Sequence, residues 1–166
     1  PLPPNALISV TNRAGVDLAP PDVTTPEGRL RLLAYLWPDQ PDRLARTRTA
    51  LATGLPRVEK GDAADWLARR LAQPRPGTLH LVFHTVAAQY FGKETSVLVD
   101  NALAAAGARA TADAPLARLG MEADGQRATA ALTLQVWPHA PQPVELARVD
   151  FHGRKILWKP SGKLDS

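Results

Sequence analysis

The stretch TLHLVFHTVAAQY, residues 78–90, decides how this chain is interpreted. It follows the breaker pair Pro76-Gly77 and contains a nearly continuous apolar run from Leu79 to Phe83. A short apolar run next to helical segments is typical of a parallel strand that is buried on both faces. Ligands of open α/β sheets bind outside the carboxyl ends of such strands. We therefore expect residues 79–83 to lie in the middle of a mostly parallel sheet, with His84 at a ligand site.

Polar and aromatic side chains end the same stretch and form the candidate substrate pocket. His84 is the candidate catalytic residue, because a histidine there could hydrogen-bond a ligand or move a proton. Thr85, Gln89 and Tyr90 follow it closely and are the candidate pocket residues. A histidine satisfied by the local backbone is the competing interpretation of His84. Tyr90 could stack on a base, but a place in the core is the favoured interpretation.

The four histidines raise the question of a metal site. The spacing of His80 and His84 would suit zinc on a helix. On a strand, four residues span about 13 Å, which is too far for one ion. The sequence has no cysteine, so disulfides and thiolate metal sites are excluded. It also has no HExxH, Walker A, GxGxxG or GxSxG pattern. We expect no metal site.

Two aspartates are candidate cofactor contacts. Residues 6–10 form a short apolar run that predicts a strand, and Asp17 lies in the loop that follows. An acid there can accept hydrogen bonds from ribose hydroxyls, although capping of the loop explains it equally well. Asp62 is an N-cap candidate for a helix and could also face an adenine amino group. These two roles compete for one carboxylate, and capping is favoured.

Helix signals flank the apolar stretch on both sides. Thr25-Pro26-Glu27 combines an N-cap residue, a first-turn proline and an acid at the positive end of the helix dipole. Helices are also predicted from about residue 41 to residue 53 and after Asp62. Beyond the stretch, a helix is predicted from about residue 93 to residue 106, ending at Gly107. We expect that helix to bury Val97, Leu98 and Ala102.

The last third of the sequence has the pattern of an antiparallel meander. Asp124-Gly125 is a hairpin signal, and residues 128–137 alternate like a half-buried strand. The predicted fold class is α/β: a Rossmann-like three-layer sheet, mostly parallel, with an antiparallel C-terminal meander. At 166 residues, we expect a single domain over residues 1–166. Strands are predicted at residues 116–122, 128–137, 144–151 and 154–158.

Charge and composition narrow the classes of partner. The formal charge is +4, and the arginines are spread over several segments. Solvated helix faces explain them better than nucleic acid does, since no aromatic-rich RNA-binding strand accompanies them. No apolar run approaches the ~20 residues of a membrane span, and no signal peptide is visible. We expect a cytoplasmic protein with an unknown small-molecule ligand and leave homodimer formation open.

Several segments resemble an uncharacterised bacterial family, domain of unknown function 2332. Trp37-Pro38-Asp39-Gln40 is the most specific of them, because its composition is unusual. The resemblance covers nearly the whole chain. The other matching segments are residues 13–18, 25–33, 36–44, 61–63, 82–85, 89–90 and 150–154.

The resemblance implies a Rossmann-like, methyltransferase-type fold. Members of the family are longer and carry, upstream, a Gly-rich turn similar to the S-adenosylmethionine loop of methyltransferases. This sequence has no such turn, so the resemblance implies the C-terminal part of a longer methyltransferase-like protein. By that analogy Asp17 lies on the ribose side of the cofactor and Asp62 on the adenine side.

Two features qualify what the resemblance implies. Without the Gly-rich turn, we expect this piece to bind S-adenosylmethionine poorly or not at all. Asp124-Gly125 also joins two strands where a regular methyltransferase carries a helix after its fifth strand. The competing hypothesis is a non-catalytic binding or interaction module on a degenerate α/β fold, because fold does not fix function.

Overall fold

The computed structural model describes residues 5–54 and 58–159. These residues contain helices and two sheets, which confirms the predicted mixed α/β class. The chain divides into two compact units, Pro1–Ala63 and Ala64–Ser166. The expectation of one domain over residues 1–166 stays a prediction. Within the described ranges, every helix is too short or too polar to cross a bilayer.

The first unit contains a small parallel sheet and two helices. Strand β1 (Gly15–Asp17) pairs with β2 (Val58–Lys60) in parallel. Helices α1 (Pro26–Ala34) and α2 (Pro41–Thr53) lie between them in the chain. The hydroxyl of Thr25 accepts a hydrogen bond from the Gly28 N–H at 3.0 Å. The helix start predicted from Thr25-Pro26-Glu27 is therefore confirmed.

The strand predicted at residues 6–10 is wrong. These residues have no regular secondary structure, and the side chains of Leu7 and Ile8 are exposed. An apolar run becomes a strand only where a neighbouring strand satisfies its backbone groups. Here β2 pairs with Gly15–Asp17 instead. Asp17 is thus the last residue of a strand rather than part of a loop that follows one.

The second unit is built on a five-stranded sheet in the order β3-β4-β5-β6-β7. The pairing of β3 with β4 is parallel, and the three other pairings are antiparallel. Helix α3 (Ala63–Arg70) belongs to this unit except for its first residue. The elements that follow are β3 (His80–Thr85), a 3₁₀ turn (Ala88–Tyr90), α4 (Lys93–Gly107), β4 (Leu116–Ala123), β5 (Ala130–Trp137), β6 (Ala140–Val149) and β7 (Ile156–Trp158).

The predicted mostly parallel sheet is therefore wrong for this unit. A parallel neighbour requires a long crossover connection, and only the segment that contains α4 provides one within this sheet. The strands after β4 follow through short connections, each of which reverses the chain direction. The first of these is the Asp124-Gly125 hairpin, which is confirmed. The C-terminal meander thus supplies most of the sheet.

Strand β3 is confirmed as a strand, but its predicted burial on both faces is wrong. It lies at the edge of the sheet and pairs only with β4 among the described strands. Leu81 and Phe83 are 47% and 70% exposed, whereas His80, Val82 and His84 are half-buried. The burial therefore alternates along the strand. Apolar continuity in a sequence cannot distinguish an edge strand from a central one, because the difference depends on distant strands.

The buried face of α4 also differs from the prediction. Val99, Leu103 and Gly107 are buried, whereas Val97 and Leu98 are exposed. Apolar residues occur around most of this helix, so their spacing alone does not fix the inward face. Gly107 contacts the indole ring of Trp137 so closely that an added Cβ would lie 2.5 Å from it. This contact positions the end of α4 on β5.

Candidate functional site

A cavity of about 700 Å³ lies in the second unit, between α4 and one face of the sheet. Arg118 on β4 is paired with Gln135 on β5, and Gly120 is paired with Thr133. Alternate residues of a strand share a face, so all four belong to the cavity side of the sheet. Helix α4 supplies the facing wall. Ser96, Val99, Asp100 and Leu103 are on that wall.

His84 lines this cavity and is hydrogen-bonded at both ring nitrogens. Its Nδ1 lies 2.7 Å from Oε1 of Glu122, and Nε of Arg118 donates to its Nε2 at 3.1 Å. A guanidinium can only donate, so Nε2 is the accepting nitrogen and Nδ1 carries the proton. Side chains rather than the local backbone thus satisfy this histidine. In this arrangement no ring nitrogen remains free to act as a base.

The carboxylate of Glu122 is the centre of a second group of contacts. The N–H groups of Ala87 and Ala88 donate to Oε1 at 3.0 and 3.2 Å, and that of Gln89 donates to Oε2 at 3.3 Å. Val86 turns the chain immediately before them with a φ of 50°. Such a conformation is uncommon for a β-branched residue. The backbone after β3 is thus shaped to receive one carboxylate.

The environment of Glu122 favours its charged form. Partial burial alone would raise the pKa of this carboxyl group. The hydrogen bonds from His84 and from the three backbone N–H groups outweigh that effect and lower its pKa below the ordinary value. Glu122 is therefore an ionised, well-anchored acceptor for His84.

Arg118 extends the contacts from His84 to α4. Its Nη1 donates to Oδ1 of Asp100 at 2.9 Å, with 23% of the arginine side chain and 64% of the aspartate side chain exposed. Glu122, His84, Arg118 and Asp100 thus form a continuous series of contacts along the cavity, which we call the cavity network. Its outer end is an exposed carboxylate.

Gly120 makes room for the imidazole ring. A Cβ added at this position would lie 3.0 Å from Cε1 and 3.3 Å from Nε2 of His84. Gly120 pairs with His84 across the parallel β3–β4 ladder, so the two residues share the cavity face. The position of the ring between Glu122 and Arg118 therefore depends on the absence of a side chain on the neighbouring strand.

The other predicted pocket residues do not line the cavity. Thr85 follows His84 on β3 and is exposed on the opposite face. Gln89 contributes its backbone N–H to Glu122, while its side chain is exposed. Tyr90 is also exposed, so its favoured place in the core is wrong. Substrate contacts by Thr85, Gln89 and Tyr90 stay predictions.

Asp17 and Asp62 are brought to one edge of the sheet in the first unit. Asp17 pairs with Lys60, and the Gly61 N–H donates to the carbonyl of Asp17 at 3.0 Å. Asp17 therefore lies at the carboxyl end of β1, and Asp62 lies just beyond the carboxyl end of the neighbouring parallel strand β2. Oδ1 of Asp17 accepts the Ala19 N–H at 2.7 Å, so the loop-capping role is present. Asp62 immediately precedes α3, the place of an N-cap residue.

The described residues provide no group of three metal-binding side chains. His80 and His84 both lie on strand β3, along which four residues span about 13 Å. Burial, followed by the charges of Arg75 and Arg70, lowers the pKa of His80. His80 is therefore a half-buried residue in a cationic environment.

Sequence reasoning missed Arg118 and Asp100, the two charged residues that end the cavity network. Each interrupts an apolar segment: Arg118 stands in Leu-Ala-Arg-Leu, and Asp100 follows Val-Leu-Val. A charged residue within an otherwise apolar strand or helix face usually has a partner, because burying a lone charge is costly. That pattern could have identified Arg118, whereas Asp100 is 64% exposed and gives no such signal.

The fold and the cavity network define a mixed α/β protein with a polar, helix-covered cavity on one sheet face. The chain belongs to the family described as an uncharacterised protein conserved in bacteria, domain of unknown function 2332, whose profile matches residues 1–158. This confirms the resemblance drawn from the sequence. No curated protein and no solved structure matches the chain.

Proposed function

We propose that this chain supplies the nucleoside-binding edge of a cytoplasmic, Rossmann-like, S-adenosylmethionine-dependent methyltransferase. The observation that carries the proposal is the parallel pairing of β1 with β2, which brings Asp17 and Asp62 to one carboxyl edge. An acid at the end of such a strand can bind ribose hydroxyls. Oδ1 of Asp17 is used by Ala19, and Oδ2 would accept from the ribose. Asp62 would face the adenine amino group.

In this proposal, the residues around β3 bind the methyl acceptor. When bound, the cofactor supplies an electrophilic methyl group. Gln89 and Tyr90, both exposed, would position the acceptor, and His84 would take its proton. Because Arg118 already donates to Nε2 of His84, that role requires the guanidinium to move away first. Thr85 lies on the opposite face of β3 from His84, so it would contact the acceptor only at the end of the strand.

Calorimetric titration with S-adenosylmethionine tests the proposal. We expect the intact protein to bind and residues 1–166 alone to bind poorly, since they lack the Gly-rich turn. Asp17→Asn in the intact protein should weaken binding by roughly tenfold, the cost of losing one charge-assisted hydrogen bond. The matched control is Asp42→Asn on α2, an exposed carboxylate far from that edge in sequence.

Three results would each contradict a part of this proposal. Absence of binding by the intact protein would refute S-adenosylmethionine as the cofactor. Micromolar binding by residues 1–166 would refute the requirement for the Gly-rich turn. Equal weakening by Asp17→Asn and Asp42→Asn would remove Asp17 from the site.

A second candidate is a non-catalytic binding or interaction module. The observation that favours it is that His84 has both ring nitrogens engaged, which suits a structural role. The outer edge of β3 also has no strand beside it among the described residues, and such an edge can pair with a second copy. A dimer by light scattering, together with an unchanged cellular phenotype after His84 and Asp17 substitution, would support this candidate over the first.

A further inference from the structure

Three side chains on the cavity wall keep polar atoms that no described residue satisfies. Arg118 donates through Nε and Nη1, and its Nη2 has no partner in residues 5–54 and 58–159. Asp100 accepts through Oδ1 alone, which leaves Oδ2. Gln135 donates its amide nitrogen to the carbonyl of Pro141 at 2.9 Å, which leaves Oε1 as an acceptor. The wall therefore offers one donor group beside two acceptors.

The inner half of the cavity network supports these groups rather than binding a ligand itself. Glu122 already accepts from His84 and from three backbone N–H groups. His84 in turn fixes Arg118 through its Nε2. A guanidinium held by two partners is oriented before a ligand arrives, and such preorganisation reduces the entropic cost of binding.

The charges around the cavity disfavour ionic ligands. Arg118 and Asp100 neutralise one another, and Glu122 leaves one negative charge nearby. An organic anion would be repelled by both carboxylates. A cation that approached Oδ2 of Asp100 would lie beside the Arg118 guanidinium, which is bound to Oδ1 of the same carboxylate, and the two positive charges would repel one another. A neutral group that both accepts and donates hydrogen bonds is repelled neither by the carboxylates nor by the guanidinium.

We propose that this cavity binds a neutral planar small molecule of the carboxamide, lactam or nucleobase type. Its carbonyl or ring nitrogen accepts from Arg118, and its N–H groups donate to Asp100 and Gln135. Val99, Leu103 and Trp137 supply apolar wall for the ring. The volume, about 700 Å³, is within the range of small-molecule sites. This site lies in the second unit and does not depend on the nucleoside edge proposed for the first.

Three probes of nearly equal shape test the charge preference. Benzamide is neutral with a donor and an acceptor, benzoate is its anionic counterpart, and benzamidine its cationic counterpart. Each is titrated into the ¹⁵N-labelled protein, and the backbone amide shifts of α4, β4 and β5 are followed. We expect benzamide to bind with a millimolar dissociation constant, as befits a fragment of this size. Benzoate and benzamidine should each bind roughly tenfold more weakly.

One substitution should reverse the order of two probes. Asp100→Asn removes the carboxylate that neutralises Arg118 and that accepts the N–H of benzamide. Benzoate should therefore gain roughly tenfold while benzamide loses roughly threefold, so that benzoate binds more tightly than benzamide. Asp100 is largely exposed, and the spectrum of the variant reports directly on its fold. Glu94→Gln makes the same carboxylate-to-amide change on α4 at an exposed position outside the cavity wall. It should leave the order unchanged.

The proposal is overturned if benzamide shifts no amide of α4, β4 or β5 at roughly 10 mM, a concentration above the expected dissociation constant. It is equally overturned if benzoate or benzamidine binds the unsubstituted protein most tightly. The same conclusion follows if Asp100→Asn and Glu94→Gln give identical probe preferences. Failure of S-adenosylmethionine to bind leaves these outcomes unaffected.

Discussion

Replacing Glu122 by glutamine removes the charge on which four hydrogen bonds converge. A hydrogen bond to a charged acceptor contributes about 1 kcal/mol more than a neutral one, so the upper limit is about 4 kcal/mol. The glutamate side chain is 20% exposed, so water replaces part of the loss. We therefore expect Glu122→Gln to lower the free energy of unfolding by about 2 kcal/mol at pH 7.

The same variant predicts a dependence on pH. Because the pKa of Glu122 is lowered in the folded protein, its contribution is present above the unfolded pKa, about 4.3. It is lost as the pH falls through the lower, folded pKa. The stability gap between the protein and Glu122→Gln should therefore close under acidic conditions.

Urea unfolding at a series of pH values measures that gap. The control is Glu94→Gln, an exposed change on α4 that should alter stability by less than about 0.5 kcal/mol. If Glu122→Gln is as stable as this control at pH 7, the four contacts do not hold the site together. A gap that persists undiminished at pH 2 would refute the role of the charge.

Three further predictions concern other parts of the second unit. Gly120→Ala should cost about 1–3 kcal/mol in urea unfolding, since its Cβ would meet His84 at 3.0 Å; an unchanged midpoint would contradict this. The hydrogen bond from Arg148 holds the pKa of Asp124 at about 2, so carboxyl ¹³C titration should show Arg148→Met returning it towards its ordinary value; an unmoved titration would exclude Arg148 as the cause. Phe83→Ser should change thermal stability little, because Phe83 is 70% exposed. A drop in melting temperature typical of a core substitution would show instead that the Phe83 face of β3 is covered.

Local signals in the sequence predicted the parts of the fold that depend on local contacts. The N-cap of α1 is formed by Thr25 and Gly28, three residues apart. The hairpin at Asp124-Gly125 is set by its own turn chemistry and joins β4 to β5 as expected. In both cases the residues that decide the structure are neighbours in the chain.

The environment of each element could not be predicted in the same way. The segment at residues 80–85 is a strand, but its exposure depends on which strands lie beside it. Helix α4 has nearly the predicted limits, yet it turns Val99 and Leu103 inwards rather than Val97 and Leu98. Both the exposure of β3 and the inward face of α4 are set by tertiary contacts. The pattern of apolar residues along the sequence does not determine those contacts.

The candidate site illustrates the same limit. His84 was identified from its place at the end of a strand, and it does line the cavity. Its partner Glu122 lies 38 residues further along the chain. The pairing register of β3 with β4 brings these two residues together, and neither segment alone predicts that register. Residue type and position could therefore suggest His84 but not the network that holds it.

The state of the His84 ring tests the cavity network most directly. Long-range ¹H–¹⁵N correlation spectra at pH 8, where an ordinary histidine is neutral, distinguish the two nitrogens. If Glu122 accepts from Nδ1 and Arg118 donates to Nε2, His84 must carry its proton on Nδ1, and Arg118→Met should change the Nε2 shift. A proton found on Nε2, or an Nε2 shift indifferent to Arg118→Met, would contradict the arrangement on which the site is built.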